Sequence, residues 1–225
     1  MSPERHQRFI DTLKRRQTSL TVVMENVHKP HNFSAIVRSC EAVGVHRAHA
    51  VYPEGGIGNN AGTTVGAHKW VQVDTHRNIQ TPFQQLKAQG FQLLTAHLDE
   101  TAVDFREVDY TQPTAVVMGS ELHGISEEAA QLADHSIVIP MLGLTESLNV
   151  SVATALILFE AQRQRQLAGM YEQPELDEAT RKTLMFEWAY PDLARRYQSR
   201  GEPYPELDDE GYLVTQNSRD SQRLP

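Results

Sequence analysis

A single cysteine, Cys40, in 225 residues rules out a disulfide framework, a CxxC redox pair and a cysteine-rich zinc site together. No apolar run approaches the ~20 residues of a membrane span. The N-terminus, MSPERHQRFIDTLKRR, contains no apolar stretch of signal-peptide type. A soluble, cytoplasmic protein is therefore expected. An excess of positive charge is also missing, and the net charge of −8 argues against wholesale polyanion binding. None of the ten histidines falls in HxxxH or HExxH spacing on a helical pattern, so no metal site is expected. No G-x-S-x-G elbow surrounds Ser147, which removes the hydrolase reading.

Hydrophobic residues make up 40% and charged residues 22%, a globular composition able to fill a sizeable core. The charge is unevenly spread. Residues 1–20 carry five Lys/Arg against two acids, +3, whereas residues 201–225 carry six acids against two arginines, −4. A basic N-terminal arm thus contrasts with an acidic tail containing Pro and Gly. A second basic set, Arg163, Arg165, Arg181, Lys182, Arg195, Arg196 and Arg200, falls on helical patterns, where a solvated face is the plain expectation.

Leu20–Met24 is β-rich. Asn32 precedes FSAIVRSCEAVG, whose Phe33, Ile36, Val37 and Val43 have helical spacing, with Asn32 as N-cap and Gly44 as stop. Further strands are expected at His49–Tyr52, Trp70–Val73, Phe91–Ala96, Thr114–Met118 and Ser136–Ile139. Helices are expected up to about Gly66, over Pro82–Gln89, from Ser126 to about Ala133, and from Leu148 to about Leu167. This alternation predicts an α/β fold around a mainly parallel sheet. After Met170 the pattern becomes polar and helical. Three segments follow: a basic helical arm (1–19), the α/β domain (20–169), and a helical extension with the acidic tail (170–225).

Gly56, Gly58 and Ala61 spell G-x-G-x-x-A after a strand, with Asp74 beyond, the outline of a dinucleotide site. Pro53 and Glu54 lengthen that turn and the next helix is barely two turns, which favours a surface loop. Three other segments are polar where plain turns would serve. Lys29–Arg38 carries Asn32 and Arg38 six residues apart, close to two helical turns. Val117–Ile125 runs from a strand end into glycines and Glu121, at the edge where open α/β sheets hold ligands. Ile139–Ala153 joins a strand to a helix start through Ser147 and Asn149, residue types suited to capping.

Together, N-F-S-A-I-V-R, M-G-S-E-x-x-G-I and I-P-M-x-G-x-x-x-S-L-N-V-S-V-A-x-A resemble the three ordered motifs of the SPOUT-class, TrmH-like RNA 2′-O-methyltransferases, over about residues 20–165. The flanks are similar to the branch acting on a D-loop guanosine of tRNA. The resemblance implies a Rossmann-like, mainly parallel sheet with a C-terminal deep trefoil knot and N- and C-terminal helical extensions. It also implies a homodimer with the active site at the interface. The Leu148–Leu158 helix, apolar nearly all round, suits burial against its own sheet and a partner. S-adenosyl-L-methionine would be the methyl donor and the ribose 2′-hydroxyl of guanosine 18 in tRNA the acceptor. Ribosomal RNA, or a non-catalytic RNA-binding role, is the alternative.

Carried over residue by residue, the resemblance makes Thr95, His97, Gly119, Ile139, Met141 and Leu148 cofactor contacts. Arg38 would activate the 2′-hydroxyl, Asn32 and Glu121 would hold Arg38 and the loop, and Ser147 and Asn149, from the same or a partner subunit, would position ribose and cofactor. A guanidinium stays protonated near neutrality, so Arg38 is better read as gripping an RNA phosphate while that phosphate or a water takes the proton. Recognition of tRNA is expected from the local basic concentrations, Arg8, Arg15, Arg16, Arg195 and Arg196.

Overall fold

The computed structural model describes residues 1–52 and 69–214. The G-x-G-x-x-A segment, the short helix expected up to Gly66 and the end of the acidic tail lie outside the described residues. In chain order the elements are α1 (Pro3–Lys14), β1 (Leu20–Glu25), α2 (Pro30–Ala42), β2 (Arg47–Val51), β3 (Gln72–His76), α3 (Gln80–Ala88) and β4 (Gln92–Ala96). They continue with β5 (Val103–Asp104), β6 (Thr114–Met118), α4 (Glu127–Leu132), β7 (His135–Val138), α5 (Val150–Leu167), α6 (Glu178–Ala189) and α7 (Pro191–Arg200). Two compact units result: Arg16–Gln173, and Met1–Arg15 together with Pro174–Pro225. The two extensions therefore form one unit, where composition suggested separate segments with boundaries at 19/20 and 169/170.

In the larger unit the strands form one sheet in the order β3-β2-β1-β6-β4-β7-β5, each neighbouring pair parallel. Strands covered on both faces read as unbroken apolar runs, and β1 and β6 are buried along their whole length. Val22 lies opposite Val116, Val23 opposite Val117 and Met24 opposite Met118. Alternation then sorts these side chains between two cores. Val22, Met24, Val116 and Met118 pack with Phe33 and Ile36 of α2 and Ile157 and Leu158 of α5. Val23, Ala115 and Val117 pack with Phe83 and Leu86 of α3 and Ala129 of α4. Because the strands run one way, the loops leaving β1, β4, β6 and β7 gather at one edge.

Two arginines expected on surfaces belong to the interior. Arg16, expected to meet RNA, is fully buried, with Nη1 donating to Val45 O at 3.0 Å and Nη2 3.8 Å from Glu41. Arg165, expected on a solvated helix face, is also fully buried. It donates to Tyr110 O, Gln17 Oε1, Ser19 Oγ, Ser19 O and Gln112 O at 2.8–3.1 Å. A guanidinium has five donors in a rigid fork, so one residue ties α5 to the entries of β1 and β6.

The smaller unit packs α1 against α6, with Phe9 edge-on to Trp188 at 5.6 Å between centroids and Phe186 stacked on Tyr204 at 4.5 Å. Ser2 caps α1 and Asp177 caps α6. Gly201, at φ +65°, ends α7 in the left-handed conformation that glycine adopts without strain. This unit contains a cleft of about 860 Å³, bordered by α1, α6 and the chain after α7.

Candidate active site

A second cleft, of about 550 Å³, opens at the C-terminal edge of the sheet in the larger unit. Its walls are the ends of β4, β6 and β7, the loop 119–124, the segment 139–149 and the start of α5. Five of the six expected cofactor contacts line it: His97, Gly119, Ile139, Met141 and Leu148. The sixth, Thr95, does not line the cleft. Its side chain is fully buried in β4, with its hydroxyl 3.3 Å from Ser136 Oγ and 3.4 Å from His135 O. Glu121, Ser147 and Asn149 also line the cleft.

Asn32 differs from its expected place. Lys29 occupies the N-cap of α2 and makes no side-chain cap bond, while Pro30 starts the helix as its first residue. Asn32 therefore sits in the first turn, 8% exposed, and its side chain is free to act at a distance in sequence. Its Nδ2 donates to Glu121 Oε1 at 2.6 Å, and its Oδ1 accepts from Asn149 Nδ2 at 3.1 Å. Asn149 Oδ1 accepts in turn from Ser151 N at 2.8 Å and Ser151 Oγ at 2.6 Å, capping α5.

The direction of this chain is set at both ends. Ser151 N–H can only donate, so Asn149 presents its oxygen there and its amide nitrogen to Asn32. Asn32 must then turn its own nitrogen to Glu121, whose ionised carboxylate can only accept. Burial opposes the charged form of Glu121, but the hydrogen bond from Asn32, nearby backbone N–H groups and the Lys29 charge outweigh it. The carboxyl is held below its usual value. Glu121 projects from a tightly closed loop. Ser120 and Gly124 exchange two backbone bonds of 2.9 Å, and a Cβ on Gly119 would overlap the backbone of Gly124 and Ile125.

Arg38 stands apart from this network. It is exposed on α2, does not line the cleft, and makes no hydrogen bond or ion pair among the described residues. Asn32 and Glu121 thus hold each other and not the Arg38 of their own chain. Of the expected RNA contacts, Arg8, Arg15, Arg195 and Arg196 are exposed, with Arg195 paired to Asp192. Arg16 is withdrawn from that surface by burial. Sequence reasoning missed Ser151, although the Asn149-x-Ser151 spacing is that of an Asx turn and could have signalled it.

Residues 19–159 match the SpoU rRNA Methylase family, and residues 163–216 match the family described as SpoU, rRNA methylase, C-terminal. The tRNA (guanosine(18)-2'-O)-methyltransferase of Escherichia coli (strain K12) is 54% identical over 215 residues, 95% of this chain and 94% of its own length. The crystal structure of the A. aeolicus TrmH/SpoU tRNA modifying enzyme superposes with a TM-score of 0.77 at 47% identity, covering 84% of this chain and 97% of that one. The SpoU Methyltransferase AviRb from Streptomyces viridochromogenes, in complex with the cofactor AdoMet, gives a TM-score of 0.61 at 25% identity over 70% of this chain and 65% of that one.

Proposed function

The chain belongs to the SpoU rRNA methylase family, and on that footing we propose that it methylates the ribose 2′-hydroxyl of guanosine 18 in the D-loop of tRNA. The observation that carries this reading is the directed hydrogen-bond chain from Ser151 through Asn149 and Asn32 to Glu121 at the cleft. Relatives that preserve nearly the whole length of this chain bear that activity in their names.

The cleft fits S-adenosyl-L-methionine in size and lining. Small-molecule sites commonly enclose about 300–1,000 Å³ with apolar walls and a few placed polar groups. Here Met118, Ile137, Ile139, Met141 and Leu148 supply apolar surface, beside polar groups of His97, Glu121 and Asn149. His97, Gly119, Ile139, Met141 and Leu148 would hold the cofactor, which when bound supplies an electrophilic sulfonium methyl.

The task left to the protein is to orient the 2′-hydroxyl and give its proton a destination. Asn32 and Asn149 fix the Glu121 carboxylate, and the exposed Ser147 beside them positions the ribose. Arg38 grips an RNA phosphate, and that phosphate or a water takes the proton. Since Arg38 lies outside the cleft of its own chain, it reaches a cleft in a homodimer, from the second copy. Val152, Leu156 and Phe159, spaced i, i+4, i+7 on α5 and about half exposed, support α5 as the dimer face.

The segment between β7 and α5 is read as part of a deep trefoil knot. The return of α5 to pack on α2 supports it. Arg8, Arg15, Arg195 and Arg196 contact tRNA phosphates, in a cytoplasmic enzyme. Labelled methyl transfer to bulk tRNA and to rRNA, followed by mapping of the modified nucleotide, tests the proposal. Label at guanosine 18 of tRNA is expected, and label confined to rRNA would overturn it.

A further inference from the structure

We propose that Glu25 is a positioning residue for methyl transfer: its buried carboxyl group clamps Ser126 and so fixes the loop that presents Glu121. Glu25 ends β1, an otherwise apolar or hydroxyl-bearing strand, and is only 4% exposed. Both its oxygens accept from Ser126, one from the backbone N at 2.9 Å and one from Oγ at 2.6 Å. The same Ser126 hydroxyl accepts from Ala129 N at 3.1 Å and caps α4. A buried carboxyl is costly to desolvate, so its presence in this strand is explained by what it holds.

What it holds is the foot of the Gly119–Ile125 loop. Residues 119–125 close on themselves through the Ser120–Gly124 bonds and through His123 N donating to Ser120 Oγ at 3.0 Å. Gly124 turns the chain at φ +67°. The loop is thus rigid within itself, and its tilt is set where it joins Ile125 and Ser126. On the other side of Glu25 the chain is fixed just as firmly. Asn26 adopts φ +54° and its N donates to Val51 O at 3.0 Å, while Val27 O accepts from Tyr52 OH at 2.9 Å. That turn leads to α2 and to Asn32, whose Nδ2 donates to Glu121. Glu25 therefore stands at the common root of donor and acceptor, and sets the register between them.

The inference rests on the role given above to Glu121, so both residues are tested in one assay. The full-length protein is prepared as Glu25→Ala, Glu25→Gln, Ser126→Ala and Glu121→Ala. Turnover is measured with tRNA and expressed per S-adenosylhomocysteine-binding site, counted by isothermal titration, so that loss of folded protein does not enter. Glu25→Ala is expected to lower kcat per site by about tenfold or more, the cost of a small misplacement. KM for tRNA and for S-adenosyl-L-methionine should stay within about twofold. Glu25→Gln, which keeps an acceptor for Ser126 N–H, should recover to within about threefold of the parent. Ser126→Ala should fall between them, and with Glu25→Gln it carries the test if Glu25→Ala does not fold. A slow Glu121→Ala beside a full-speed Glu25→Ala or Ser126→Ala would overturn the clamp alone. A loss in Glu25→Ala confined to KM, or one that glutamine does not rescue, would also overturn it. A full-speed Glu121→Ala would overturn the reading of Glu121 itself.

Discussion

The cleft of the sheet unit, about 550 Å³, is bordered by strand ends and by amide and carboxylate groups linked in one directed chain. The cleft of the helical unit is larger, about 860 Å³, and is bordered by a mixture of charged side chains, aromatic rings and prolines. Lys182 there is paired with Glu178 along its own helix, and Tyr204 OH donates to Glu187 Oε1. Such pairs close on neighbours and leave little directed outward. Volume is therefore a poor guide to chemistry. The smaller cleft has polar groups whose orientations are fixed before any ligand arrives, the preorganisation that stabilises charge in a reaction.

The strongest way to break this contrast is to cut the chain. Asn32→Ala and Asn149→Ala should each lower methyl transfer at least about 100-fold. The fold should persist, because losing the Asn149 cap costs about 0.5–2 kcal/mol. Filling the larger cleft with Thr183→Trp should leave kcat and cofactor KM unchanged. A weakened cofactor in that variant, measured by isothermal titration, would move the site to the helical unit.

Smaller effects separate the units by charge. Replacing Arg8, Arg15, Arg195 and Arg196 with Gln should weaken tRNA binding, with cofactor binding intact. The slope of log K against log salt should flatten by about 0.7–0.9 for each phosphate no longer neutralised. Mobility shifts at several salt concentrations measure this, and Arg195, already paired with Asp192, should contribute least. Arg16→Ala should behave differently from Arg15→Ala. It removes a buried donor to Val45 O, at a cost of about 1–3 kcal/mol, and should lower Tm while tRNA binding holds.

The smallest effect is a pH dependence of the sheet unit. Desolvation lowers His46 and His49 to about 4, helped by Arg47 for the first and by His76 for the second. His49 Nδ1 lies 3.0 Å from His76 Nε2, an arrangement that needs at least one neutral ring. The unfolded chain binds these protons near pH 6.5, so their stabilisation is complete above that pH. It is lost as the pH falls from about 6.5 to about 4. Thermal melts across this window should show the decline, and His49→Gln should make it shallower.

Much of the sheet unit is legible in the sequence, because β1 and β6 are apolar runs, α2 shows clear helical spacing and α5 is a long apolar helix. The strand order is not, since parallel neighbours such as β4 and β7 lie about forty residues apart and only packing selects them. The two-residue β5 is visible only through its pairing of Val103 with Ile137. At the site, residue types near Asn32 and Asn149 signalled caps, and Asn149 is one. Asn32 is not, because Pro30 starts the helix two residues earlier and turns the amide toward Glu121. Arg16 and Arg165 escaped for the same kind of reason. Charge patterning reads arginine as surface, and only the fold brings carbonyls such as Val45 O and Tyr110 O to its donors.

The central claim is that one chain supplies the Glu121–Asn32–Asn149 network and a second copy supplies Arg38 to it. Subunit exchange between Arg38→Ala and Asn149→Ala proteins, each inactive alone, tests it directly. Random exchange makes half the dimers mixed, each with one site that holds both residues. Methyl transfer should return to about a quarter of the parent rate. Mixed dimers that form, as seen by native mass spectrometry, but stay inactive would contradict the claim.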